Sequence, residues 1–183
     1  MRITLLACVL ATGCSDDPVS YSAPVGIELK SKSSDVSNAV VSEEKGITTE
    51  SGNPYGAFVA DARGKLGRDP GGIEIERLTL TLGAASDRVV ALEEVFTGDV
   101  DVAFLVNDTN NTYDVAHFID PAGVGPIGVS TLNFDWAQVA AQDIDKMLGG
   151  SFKVVIRGPA ATGFEGKGAD ASLQLTFTFT AFE

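Results

Sequence analysis

Apolar and polar residues alternate along much of this chain, most clearly near its C-terminus. There Leu173, Leu175, Phe177 and Phe179 fall on one side of an extended segment, with hydroxyl and amide side chains on the other. A period of two is typical of β-strands with one buried and one solvent-exposed face. The same pattern predicts further strands over residues 25–29, 73–82, 100–106, 113–119, 127–134 and 152–156.

Runs rich in Gly, Pro, Asn and Asp separate these segments, as at residues 68–72, 107–111 and 120–123. Alternation of this kind, with one solvent-exposed face, is typical of antiparallel sheets, because the strands of buried parallel sheets show continuous apolar runs instead. The pattern therefore predicts a mainly β fold, an antiparallel β-sandwich that is immunoglobulin-like in general architecture. Residues 25–183 are expected to form this single domain. Residues 31–52 predict a long loop with a brief strand.

Two short helices are predicted to interrupt the strands. Asn53 followed by Pro54 is typical of a helix start, and apolar residues at three-to-four spacing extend the helix to Leu66. A shorter helix is predicted to begin with Asp143 as its N-cap and to end before Gly149. One helical turn is expected around residues 92–96.

The N-terminal residues follow a different pattern. A single positive charge, Arg2, precedes an apolar run from Ile3 to Leu10 that is too short to span a bilayer, which takes about 20 apolar residues. Its length fits the apolar region of a secretory signal. The small residues Ala11-Thr12-Gly13 then lead directly to Cys14.

This arrangement resembles the signal peptide and lipobox of bacterial envelope lipoproteins, although position 11 is most often Leu in that family. The resemblance implies cleavage after Gly13 and lipidation of Cys14, with residues 1–13 as signal peptide and residues 14–24 as a lipidated tether. It also implies that acyl chains such as palmitate anchor the protein to a membrane of the cell envelope. Ser15, in a position where Asp often signals inner-membrane retention, favours the outer membrane.

Composition limits the chemistry of the remaining chain. Cys8 would leave with the signal and Cys14 would be lipidated, so the folded part would contain no thiol, and hence no disulfide and no cysteine metal site. The formal net charge is -12 at pH 7, and losing Arg2 would make it one unit more negative. An acidic surface of this kind repels nucleic acid, so no nucleic-acid partner is expected.

Few residues suggest catalysis. His117 is the only histidine, and it lies in a predicted strand where it would share a face with Tyr113, Val115 and Ile119. Asp99 and Asp101 are two residues apart, about 6.6 Å along a strand, which is near the carboxyl separation of inverting glycosidases. The alternative is a solvated strand face with no chemistry. No Gly-x-Ser-x-Gly or phosphate-binding motif is present in the sequence.

Two features suggest a ligand. The segment from Asn107 to Asp114 is rich in side-chain oxygens, with Asn107, Asp108, Asn110 and Asp114 as candidate calcium ligands. The same residue types also suit a hairpin turn, and the EF-hand pattern is absent. Trp136 and Tyr113 could form a stacking platform for a sugar, or could simply close the core.

These observations predict a lipid-anchored envelope protein with a non-enzymatic structural, adhesive or binding domain, and an envelope protein or polysaccharide as its partner. No cofactor is expected, apart from calcium under the second hypothesis, in which the domain is a calcium- or carbohydrate-binding module. A secreted hydrolase that uses acidic residues is the third hypothesis.

Overall fold

The computed structural model describes residues 19–183, so the predicted signal peptide, Gly13 and Cys14 lie outside the described residues. Within that part, no helix is long and apolar enough to cross a lipid bilayer. The described chain forms an antiparallel β-sandwich of two packed sheets, which confirms the predicted fold class. The strands are β1 (Ser20–Lys32), β2 (Val40–Ile47), β3 (Gly72–Leu82), β4 (Val100–Val106), β5 (Thr112–Phe118), β6 (Ile127–Gly128), β7 (Thr131–Leu132), β8 (Phe152–Pro159) and β9 (Asp170–Phe182).

The first sheet has the order β1-β9-β3-β6 and the second has the order β2-β8-β4-β5-β7. The first and last strands therefore lie side by side, and they pair along their whole length, from Ser20 opposite Phe182 to Lys32 opposite Asp170. Strands β1 and β2 are edge strands of different sheets. Both leave one edge unpaired by the described strands.

The predicted first helix is confirmed as α1 (Pro54–Leu66). The side chain of Asn53 accepts a hydrogen bond from the backbone N–H of Tyr55, and Gly67 ends the helix in a left-handed conformation. Tyr55, Phe58 and Val59 are buried, because this helix packs against β1 and β9 at the end of the sandwich where β1 begins.

The core between the sheets is strongly aromatic. Tyr55 is in edge-to-face contact with Phe152 and Phe179, with ring centroids 5.3 and 5.6 Å apart. Phe104 packs against Phe152 at 5.0 Å, and Phe177 stacks on Phe179 at 5.1 Å. The buried Tyr55 hydroxyl donates a hydrogen bond to the carbonyl of Met147 at 2.8 Å. One side chain thus links α1, both sheets and the second helix.

Several predicted boundaries were wrong. Strand β1 begins at Ser20, so residues 20–24 belong to the sandwich and not to a tether. The brief strand predicted within residues 31–52 is present as β2, but at eight residues it is longer than expected. Helix α2 (Ala141–Leu148) begins two residues before Asp143, which lies buried in its first turn and is not the N-cap. The predicted strand at 127–134 is reduced to the two short strands β6 and β7.

Candidate functional site

The hairpin of β4 and β5 contains a β-bulge that determines which side chains meet across it. Near the turn, Leu105 lies opposite Thr112 and Ala103 lies opposite Asp114. Beyond the bulge, Val102 lies opposite Ala116, so Val115 is the extra residue on β5. Val115 and Ala116 are consequently both buried, and Val115 does not share the exposed face of His117 as predicted. The shift places His117 directly opposite Asp101.

His117 lies between two carboxylates on the outer face of the second sheet. Its Nδ1 is 2.7 Å from Oδ1 of Asp101, and its Nε2 is 3.2 Å from Oδ2 of Asp99. Both ring nitrogens donate when the imidazole is protonated, so the charged form satisfies both carboxylates. We call these three residues the histidine clamp. The sequence indicated each of its members but did not indicate that they are partners.

The pKa of His117 is raised above its ordinary value. The hydrogen bond to Asp101 is the main cause; partial desolvation opposes it, and the bond to Asp99 adds to it. The clamp is solvent-exposed, with 31% of the His117 side chain and 73% of the Asp101 side chain accessible, so salt screens its charges. His117 and Asp101 line a shallow depression of about 330 Å³, together with Asp114, Thr131 and Asn133.

The single histidine allows a direct test of this geometry by NMR titration. We expect His117 to titrate above the ordinary histidine value of about 6.5. Asp101→Asn should lower its pKa, and Asp99→Asn should lower it less, because the longer bond contributes less. Since folding raises this pKa, the ion pair stabilises the fold fully below the unfolded value, and that stabilisation is lost as the pH rises through the folded value.

Asp61→Asn, which removes an exposed carboxylate on α1, is the matched control for overall charge. It should leave the His117 titration close to that of the unmodified protein. A His117 pKa that moves equally in Asp101→Asn and in Asp61→Asn would show that the clamp does not exist in solution.

The clamp lacks the usual arrangement for nucleophilic catalysis. Its ring nitrogens both face carboxylates, so neither is positioned to take a proton from a serine or threonine hydroxyl. The paired carboxylates Asp99 and Asp101 share the imidazole as a common partner. In the described part of the chain they lie on an exposed face, whereas a general acid needs a pocket that raises its pKa.

The candidate calcium ligands have several different partners. Asp108 forms an ion pair with Nζ of Lys146 at 2.6 Å, and the Asn107 side chain donates to Ser151 at 3.3 Å. Asp114 lies on β5 at the depression beside the histidine clamp. Asp108 and Asn110 both have positive φ values, the left-handed conformation that Asn and Asp tolerate in turns. Among residues 19–183, no group of three or more His, Cys, Asp and Glu is placed to hold a metal ion.

A buried carboxylate that the sequence did not single out as a site holds this turn against α2. Asp143 is fully buried, and its Oδ2 accepts hydrogen bonds from the Asn111 amide and the Tyr113 hydroxyl, both at 2.7 Å. Tyr113 also accepts a bond from the backbone N–H of Ala140 at 3.0 Å. Burial by itself would raise the pKa of Asp143, but the hydrogen bonds from Asn111 and Tyr113, together with smaller contributions from Thr109 and the charge of Lys146, hold the pKa below its ordinary value.

The proposed stacking residues have structural partners. Trp136 is half-buried, packs against Phe134 with ring centroids 6.3 Å apart, and lies against Gly72. The Tyr113 hydroxyl is engaged by Asp143 and Ala140. Tyr113 lines an open depression of about 290 Å³ with Asp135 and Gln138, and Trp136 is not part of that lining.

No known protein-family model matches the chain, and no curated protein matches it significantly.

Proposed function

We propose that this chain is a lipid-anchored bacterial envelope protein, attached through Cys14, whose β-sandwich has a non-enzymatic binding role. The observation that carries the proposal is the sequence Ala11-Thr12-Gly13-Cys14 behind a short apolar segment. Ser15 favours the outer membrane as the site of attachment.

The position of the first strand supports a binding role close to the membrane. Only residues 15–19 separate Cys14 from β1, and five residues extend over at most about 18 Å. The end of the sandwich where β1 begins, which also carries α1, would therefore lie near the lipid surface. The long unpaired edges of β1 and β2 would extend away from it.

The histidine clamp supports a role without catalysis. Both nitrogens of the only histidine are engaged by aspartates, and the aspartates are exposed. The negative net charge of the chain favours partners other than nucleic acid or anionic lipid headgroups. An envelope protein or polysaccharide is the partner class that fits a protein attached to the cell envelope.

Substitution of the two cysteines tests the anchor. In membrane fractions, the intact mass of the unmodified protein should correspond to a chain that starts at Cys14 and carries acyl groups. Cys14→Ala should remove the acyl mass and release the protein from the membrane, because attachment depends on buried acyl chains. Cys8→Ala is the matched control, since Cys8 lies in the predicted signal and should change neither mass nor location. An unmodified thiol at Cys14, or a retained Met1, would overturn the proposal.

A further inference from the structure

The turn between β4 and β5 carries a modification motif. Residues 107–112 have the sequence Asn-Asp-Thr-Asn-Asn-Thr, which contains two overlapping copies of Asn-x-Thr. The chain has no other Asn-x-Thr and no Asn-x-Ser. This motif marks acceptor asparagines for N-glycosylation on the surface loops of exported proteins. The first copy begins at Asn107 and the second at Asn110, and the structure distinguishes between them.

The side chains of the first copy already have partners. Asn107 is half-buried, and its amide donates a hydrogen bond to the Ser151 hydroxyl at 3.3 Å. Thr109 supplies the hydroxyl of this copy, and that oxygen accepts a hydrogen bond from the backbone N–H of Asn111 at 3.5 Å. The same hydroxyl helps to lower the pKa of Asp143. A transferase would have to break these contacts before it could use Asn107.

The side chains of the second copy are accessible. Asn110 and Thr112 are both exposed, and within residues 19–183 the hydrogen bonds of this turn are formed by their neighbours and by the backbone. The backbone N–H of Asn110 donates to the carbonyl of Val106 at 3.0 Å, and its φ is +56°, a turn conformation that asparagine tolerates. The main chain thus fixes the turn and leaves the Asn110 amide available.

The turn lies at the end of the sandwich that carries α1. Val106, directly before the turn, lies opposite Phe152 in the pairing of β4 with β8, and the Phe152 ring contacts Tyr55 of α1. The proposed lipid anchor would hold this end near the membrane. A sugar donor carried by a membrane lipid would therefore be close to the acceptor asparagine.

We propose that Asn110 is an N-glycosylation site. Its Nδ2 atom forms a bond to the anomeric carbon of a lipid-linked glycosyl diphosphate, and the bond from that carbon to the diphosphate oxygen breaks. The diphosphate leaves with the electron pair, and one amide proton passes to the transferase. A separate transferase is required because the lone pair of an amide nitrogen is delocalised. The inference rests on the export proposed above, but not on the lipidation of Cys14.

Mass spectrometry of the protein from the membranes of its own cells tests the site. We expect the peptide that contains residues 107–112 to carry the mass of a sugar chain, and fragmentation to locate it on Asn110. Asn110→Asp should abolish this mass, because aspartate tolerates the same turn conformation but has no amide nitrogen. Thr112→Val should also abolish it, since valine lacks the hydroxyl that the motif requires, whereas Thr112→Ser should retain it.

Asn107→Asp is the matched control. It removes the acceptor amide of the first copy, three residues away, and should leave the sugar mass in place. Circular dichroism should show the same fold in every variant. Three results would overturn the proposal: no sugar mass on the peptide, a sugar mass located on Asn107, or a sugar mass that persists in Asn110→Asp.

The N-terminal peptide of the same sample decides the lipid anchor separately. An acylated Cys14 together with an unmodified Asn110 would overturn the glycosylation site and leave the anchor intact. A sugar chain on Asn110 together with a free thiol at Cys14 would support the glycosylation site and overturn the anchor.

Discussion

Replacing Tyr55 by alanine is expected to lower the free energy of unfolding by roughly 3–5 kcal/mol, the range for removal of a large buried aromatic side chain. Tyr55 is completely buried, and its ring contacts Phe152 in one sheet and Phe179 in the other. Removal would leave a cavity where α1 meets both sheets. It would also remove the hydrogen bond to the Met147 carbonyl, which would keep only the bond from the backbone N–H of Gly150. Since domains are stable by about 5–15 kcal/mol, the loss is a large fraction of the total.

Tyr55→Phe is the control that separates the ring from the hydroxyl. It preserves the aromatic packing and removes the bond to Met147, so the expected loss is about 1 kcal/mol. Denaturant unfolding followed by circular dichroism measures both variants against the unmodified protein. Similar losses in Tyr55→Ala and Tyr55→Phe would show that the hydroxyl, and not the packing of the ring, dominates at this position.

The second large effect is expected at Asp143. Asp143→Ala removes the acceptor of two hydrogen bonds at once and leaves the Asn111 amide and the Tyr113 hydroxyl without their partner. We expect the free energy of unfolding to fall by roughly 1–3 kcal/mol. The turn at residues 107–111 should also lose its order relative to α2, which amide hydrogen exchange of that turn would detect.

Asp143→Asn isolates the charge from the hydrogen bonds. Both donors meet Oδ2, and the buried Oδ1 has no hydrogen-bond partner among the described residues. An asparagine can therefore keep its single oxygen at the position of Oδ2 and accept the same two bonds. We expect a smaller loss than in Asp143→Ala. A loss as large as that of alanine would mean that the negative charge itself is required.

The same variant tests the dependence of stability on pH. Folding lowers the pKa of Asp143, so the carboxylate stabilises the fold above its unfolded value of about 3.9. That contribution is lost as the pH falls through the folded value. Asp143→Asn should therefore lose less stability than the unmodified protein between about pH 4 and pH 2. If the free energy of unfolding fell equally in both proteins between about pH 4 and pH 2, the lowered pKa of Asp143 would be contradicted.

The two sheets could be predicted because apolar and polar residues alternate within most of their strands. Strand β9 buries Leu173, Leu175, Phe177 and Phe179, as its alternation predicts. Helix α1 was predicted for an equally local reason, since the Asn53 cap and the Pro54 start act within one helical turn. Strand β2 was predicted only as a brief strand within a loop, because Glu43 and Lys45 interrupt the apolar alternation between Val41 and Ile47.

The candidate sites depended on longer-range geometry. The bulge at Val115 shifts the β4–β5 register by one residue; counted from the turn without it, Asp101 would face Ala116 and not His117. The burial of Asp143 depends on where α2 packs against the turn at residues 107–111.

The sequence by itself therefore determined the secondary structure of the amphipathic strands and of α1, the mainly β class and the acidic surface, because each follows from local pattern or composition. Residues 11–14, which resemble a lipobox, are the basis of the proposed attachment to the envelope. Which side chains meet depends on the tertiary structure: His117 with its two aspartates, and Asp143 with the turn. Such contacts join residues far apart in the chain, and they depend on strand register and packing, which no local pattern specifies.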